Sequence, residues 1–148
     1  MYILEEVSFY DHEDTILEYG ARAWDEVDTR SYDLDIDVDK YYKMEELGCI
    51  KFFLFKYYNV VIGMVIARIA VHQHTKQKTF GTDVIYVEPS ARKSAAPDAL
   101  LDEIELYCSA NNISSIHIEL RHGNDHPTWM SNNNYSPSGV TYIKELRT

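Results

Sequence analysis

The sequence is short of cysteine, of chain-breaking residues and of long apolar runs. Its two cysteines, Cys49 and Cys108, have neither CxxC nor metal-ligand spacing. Cys108 continues an apolar helical stripe, so two buried free thiols are expected rather than a disulfide or a nucleophile. Only 6 Gly and 4 Pro accompany 45% hydrophobic and 26% charged residues, a balance that excludes disordered, collagen-like and coiled-coil chains. No window reaches the ~18 uncharged apolar residues of a membrane span. Met1 to Glu6 is acidic where a signal peptide would be basic and apolar, so an intracellular, cytoplasmic protein without membrane contact is expected. At 148 residues the chain should form a single domain, 1–148, whose core needs no disulfide or metal.

Basic residues are scarce at one end only. Residues 1–40 hold 13 acids and 3 bases, whereas residues 41–148 hold 11 of each, so the net charge of −10 belongs to the first 40 residues. Such a field repels nucleic acid and anionic membranes and attracts amines or basic protein tails. A DNA mimic would spread its charge along the surface and ranks last among the readings.

Apolar spacing outlines the elements. Tyr2 to Phe9 reads as a strand, and Asp11 to Asp28 as a helix capped by Asp11 or Asp14. The alternating DLDIDVD stretch crowds acids along what would be a sheet edge, so it reads as a loop leading into a helix from Asp37 to Leu47, ended by Gly48. Cys49 to Tyr57 and Val60 to Val71 form a hairpin about Tyr58-Asn59, and Phe80 to Val87 is a strand stopped by Glu88-Pro89. Pro97 to Asn111 is an amphipathic helix, Ile113 to Leu120 a strand, Asp125 to Asn133 a short helix, and Tyr135 to Leu146 a last strand or bent hairpin. The order β-α-α-β-β-β-α-β-α-β implies one α/β (α+β) domain with a mixed sheet.

One junction carries chemistry. In VIYVEPSARKSAAPDALLDEIELYC, Val84 to Cys108, a strand runs through a turn of small residues into a helix, an arrangement that presents backbone N–H groups and a helix N-terminus to an anion. This segment resembles the acyl-CoA loop of the GNAT superfamily of acetyltransferases, whose strand ends in V-x-P before R/Q-x-x-G-x-G/A and a long helix. The likeness extends to VVIGMVIA (Val60 to Ala67) and to WMSNNNYSPSGVTYIKEL (Trp129 to Leu146). His72 and His74, followed by DVIYVEPSAR from Asp83 to Arg92, are similar to the GNAT-like proteins of bacteriophages.

The resemblance implies a GNAT fold, a mostly antiparallel sheet flanked by about four helices, and acetyl-CoA as cofactor, contacted by Tyr86, Val87, Arg92, Lys93, Ser94, Ala95, Ala96 and Asn124. It implies Asp83 as the base that takes a proton from the acceptor, and the Val87 N–H as donor to the thioester oxygen. It implies an acceptor cleft walled by the first two helices, with Asp33, Asp35, Tyr41 and Tyr42 as acceptor contacts.

Ala95 and Pro97 depart from the pattern by standing where the family has glycines, and Asp98 faces the phosphates. A charge ~6 Å from them at an effective dielectric of ~20 to 40 costs roughly 1.5 to 3 kcal/mol; Arg92 and Lys93 offset part of it. Met130 occupies the position of the family's acidic Tyr and has no proton to give, which leaves water, Tyr135 or Tyr142.

Simpler readings stand beside these. Asp83 could be a solvated carboxylate, and the N-terminal acids a solubilising face. His72 and His74 share a strand face without a third ligand in local spacing, so no metal is expected. Asn134, replacing a Gly after the last short helix, suits a left-handed residue there. Two functions follow: an N-acetyltransferase acting on a cationic amine, or a catalytically degenerate GNAT-fold phage protein, in the host cytoplasm or the virion, that binds a basic partner. A dimer is compatible with the sequence.

Overall fold

Strand β2 (Ile50–Tyr57) is apolar on both sides, and that dictates a layer of helix on each face of the sheet. Phe52 and Leu54 look one way, Phe53 and Phe55 the other, and all four are buried. In the computed structural model, which describes residues 1–27, 34–120, 126–139, 141–142 and 144–146, β2 lies inside a five-stranded sheet. Its neighbours are β1 (Tyr2–Val7), β3 (Val60–Val71), β4 (Lys78–Val87) and β5 (Ser115–His117), in chain order. The first four pair antiparallel and β5 joins β4 in parallel. This is the α/β architecture and element order expected, save for the last strand.

The helices α1 (Phe9–Val27) and α2 (Val38–Glu46) cover one face, where Phe9, Ile16 and Tyr19 pack with Phe52, Leu54, Met64, Ile66 and Tyr86. The helix α3 (Ala96–Ala110) covers the other through Leu100, Leu101, Ile104 and Cys108 against Phe53, Phe55, Val65, Ala67 and Phe80. Each fully buried side chain of this size contributes roughly 1.5 to 3 kcal/mol. The short α4 (His126–Asn132) adds Trp129 and Met130 to the α3 side. No helix among the described residues is long and apolar enough to cross a membrane.

Local chemistry sets the boundaries. The first helix begins at Phe9, earlier than Asp11, because the Ser8 hydroxyl accepts the Asp11 N–H and the Glu45 carboxylate accepts the Phe9 N–H. Asp37 caps α2 by accepting from Lys40, and Gly48 at φ +75° follows its end. Tyr58 and Asn59, both at positive φ, make the two-residue hairpin turn, and Asn134 takes the left-handed conformation as expected.

Three further expectations need correction. Cys49 is half-buried where a buried thiol was expected. Strand β5 spans three residues instead of eight. No strand occurs among the described residues from Tyr135 to Leu146; Pro137 and Gly139 interrupt that segment, and a three-residue β5 offers little ladder to extend.

Gly63 meets the site directly. A Cβ there would strike the Tyr86 carbonyl oxygen and crowd the Val87 Cα, so β3 and β4 approach closely only because this position lacks a side chain. Gly63→Ala should therefore cost about 1 to 3 kcal/mol in chemical denaturation; an unchanged midpoint would contradict the close packing of β3 on β4.

Candidate active site

The site begins where β4 outruns its neighbour. β4 and β5 pair only over Thr79–Gly81 with Ser115–His117, after which the Glu119 N–H donates to the Thr82 hydroxyl at 3.0 Å. From Asp83 to Val87 no described strand lies along that edge of β4. The Glu88 N–H donates to the Ile62 carbonyl at 2.7 Å, and antiparallel alternation then turns the Val87 N–H and C=O away from β3, onto the open edge. The carbonyl is taken by Arg92 Nε at 2.8 Å. The N–H has no acceptor among the described residues.

Asp83 is the extra residue of a bulge. Ile66 pairs with Val84 and Ala67 with Thr82, so Asp83 has no partner in β3 and is exposed. It faces the α2 side: burial pushes the Tyr41 phenol up and the Asp83 carboxylate pushes it further. The structure thus brings together two residues that the sequence proposed separately. Tyr41 is fixed by edge contacts to Phe9 and Phe52, each at 5.4 Å between ring centroids. Tyr42 is committed elsewhere, its hydroxyl donating to Glu13 at 2.9 Å, and burial together with that bond raises its pKa to about 12. Asp35 is exposed just before α2. Asp33 and Asn124 lie outside the described residues.

Beyond a single turn of 3-10 helix, Pro89–Ala91, the loop closes largely on itself. The Arg92 N–H donates to Pro89, the Ser94 N–H and hydroxyl to Ala91, and the Ala96 N–H to the Ser94 hydroxyl. Pro97 has no N–H, which leaves those of Lys93, Ala95 and Asp98 without an acceptor in the described protein. Lys93 and Ala95 are exposed, while Ala96 is buried against α3's core face. The Asp98 carboxylate accepts from the Asn133 amide at 2.9 Å, tying α3 to the end of α4.

Arg92 is where the expected cradle differs most. Its guanidinium holds Glu26 of α1 at 2.7 Å, and its carbon lies 5.3 Å from the Tyr86 ring centroid. Burial and Glu26 push the Tyr86 phenol up, while Arg92 opposes them. Beside this pair, Glu88 accepts from the Tyr19 hydroxyl and from Arg22, both at 2.9 Å. Glu26, Glu88 and Tyr19 were missed by sequence reasoning. Only the acid inside V-E-P marked the place, and nothing in the order of residues pairs it with a tyrosine 69 positions away.

Of the two tyrosines proposed as acid substitutes, Tyr135 packs elsewhere. Burial, then Glu105, Cys108 and Asp102, raise Tyr135 to about 12, and Glu105 lies roughly 13 Å along α3 from its first residue. Tyr135 instead lines a pocket of about 540 Å³ at the far side of β5 that contains none of the proposed site residues. Tyr142 is 90% exposed in a segment without regular structure, and Met130 is packed on the α3 side. His72 and His74 stand 5.6 Å apart, ring to ring, and no group of three metal-ligating side chains occurs among the described residues.

No family model matches the sequence, and no curated protein matches it significantly. Solved structures do match along its whole length. A possible acetyltransferase from Clostridium difficile 630 superposes with a TM-score of 0.73 at 18% identity, over 100% of this chain and 99% of that one. AAC(6')-Iy, in complex with the bisubstrate analogue CoA-S-monomethyl-acetylneamine, gives 0.68 at 12% identity over 100% and 99%. A GNAT family acetyltransferase of Staphylococcus aureus gives 0.65 at 16% over 98% of each chain. The fold is that of the GNAT acetyltransferases.

Both partners of the Arg92–Glu26 pair are about two-fifths exposed, and such pairs contribute roughly 0.2 to 1 kcal/mol. Glu26→Gln should lower unfolding stability by no more than about 1 kcal/mol; a loss beyond about 2 kcal/mol would mean that the pair anchors α1 to β4 rather than merely occupying Arg92.

Proposed function

We propose that the protein is an acetyl-CoA-dependent N-acetyltransferase that acts on a cationic primary amine by direct attack within a ternary complex. The observation that carries this reading is the open edge of β4, which has a free Val87 N–H at one end and the exposed Asp83 carboxylate at the other. Acetyl-CoA would supply the thioester whose acetyl group is transferred. The edge offers backbone groups to an extended amide chain, and the N–H groups of Lys93, Ala95 and Asp98 are available to phosphate oxygens. The residues present therefore fit that ligand, with the Asp98 carboxylate and the engagement of Arg92 by Glu26 as costs.

Asp83 faces the α2 side, where the first two helices would border the acceptor, and takes the proton that an ammonium must lose before it can attack. The Val87 N–H, fixed by the ladder on either side of it, meets the negative charge that develops on the carbonyl oxygen. Water returns the last proton, since Met130 has none to give. Neither thiol forms a covalent intermediate: burial lifts Cys108 to about 11, and the Cys49 thiol donates to the Met44 carbonyl. The complex of AAC(6')-Iy with an analogue joining CoA to an acetylated amine supports this reading.

The self-closed loop and Met130 favour a second reading, in which the fold is kept without catalysis and the acidic N-terminal face binds a basic protein. The phage-like motifs would then place the protein in an infected cell or a virion.

Asp83→Asn should reduce acetylation of amines by roughly 10²- to 10⁴-fold with acetyl-CoA affinity intact; undiminished turnover would remove Asp83 as base. Asp98→Lys should strengthen acetyl-CoA binding by about one to two powers of ten if the loop holds phosphates. The non-catalytic reading expects no change from it.

A further inference from the structure

Across the sheet face that carries α1 and α2, one row of residues is Arg68, Gly81 and His117. The register pairs Arg68 with Gly81 and Gly81 with His117, and Ile66 and Val84, the next pair on that face, belong to the cluster beneath α1 and α2. Gly81 leaves the middle of the row open: a Cβ built there would come no nearer than 4.0 Å, to the Arg68 carbonyl oxygen. With strands ~4.8 Å apart, the backbones of Arg68 and His117 stand roughly 10 Å from each other across that floor, which is room for a carboxylate between a guanidinium and an imidazole.

Two further observations aim this slot at the site. Asp83 lies two residues along β4 from Gly81, at the bulge, and its charge acts on Tyr41 of α2, on the same face as the row. Arg68, Asp83 and His117 are all exposed. Of the three arginines among the described residues, Arg22 and Arg92 hold carboxylates, whereas Arg68 forms no ion pair with Asp83 or any other described acid. An uncommitted guanidinium beside an uncommitted carboxylate, separated by a side-chain-free floor, matches a ligand that carries both charges.

We propose that this row is the anion half of the acceptor site, and that the acceptor is an amine bearing a carboxylate, with its ammonium at Asp83 and its carboxylate between Arg68 and His117. The inference rests on the acetyl-transfer reading and names its substrate class. Arg68 is a specificity residue that leaves the chemistry to Asp83.

Lysine and cadaverine differ by one carboxylate and separate the possibilities. The acidic field alone favours the dication cadaverine; the row should reverse that order, with lysine preferred at least about tenfold in kcat/KM. Arg68→Gln should raise KM for lysine about tenfold, with kcat and the cadaverine constants unmoved, because only the carboxylate loses its charge-assisted bond. Gly81→Val, which fills the floor, should weaken lysine in the same way. Equal constants for the two amines, or parallel losses for both in Arg68→Gln, would overturn the proposal. Calorimetric titration of lysine into the protein with coenzyme A present supplies a readout independent of turnover. Lysine binding that falls about tenfold in Arg68→Gln while no amine is acetylated would uphold the charge row and defeat the acetyl-transfer reading; binding unchanged by the variant would defeat the row.

Discussion

The separation of β4 from β5 after three paired residues is the constraint on which the rest depends. A backbone N–H left on a strand edge needs an acceptor from somewhere, and parting the strands places the Val87 N–H where a ligand can provide one. Three local features hold the strands in that state. The bulge at Asp83 breaks the regular ladder, the Thr82 hydroxyl takes the first N–H of the departing chain, and Gly63 lets β3 support the far side of β4 at close range. The same bulge presents the carboxylate, so the device that opens the edge also positions the proposed base.

Charge around the end of β4 is arranged as competition. Arg92 has a carbonyl, a carboxylate and an aromatic face as partners before any phosphate arrives, while Glu88 gathers Tyr19 and Arg22 from α1. These contacts fasten the first helix to the loop, and of the acids concentrated in the first 40 residues Glu26 is the one that reaches Arg92. Because the pairs are part-exposed they are weak, so the proposed cofactor role of Arg92 would need Glu26 displaced at only modest cost. The loop is self-consistent without a ligand, its N–H groups and hydroxyl bonded largely to one another.

Much of this was legible in the residues. Alternation in the two long strands, the helical stripe ending in Cys108 and the Tyr58-Asn59 turn located the sheet, α3 and the hairpin. The Val-Glu-Pro junction marked the candidate site, and the family likeness supplied the fold. The C-terminal strand was misread because period-two alternation reports a pattern, not a partner, and the short β5 provides little to pair with. The expected cradle role of Arg92 overlooked Glu26, 66 positions earlier, since pairings that close through tertiary structure leave no spacing to read. The bulge was likewise invisible: Asp83 looks like any strand residue until the register shows that nothing in β3 opposes it.

Titration calorimetry with acetyl-CoA tests the central claim, that the open edge and the loop beside it form a working ligand site. The account predicts saturable one-to-one binding in the micromolar range. Absence of heat at millimolar acetyl-CoA, with the protein folded, would contradict it and leave the GNAT fold as a scaffold for a basic partner.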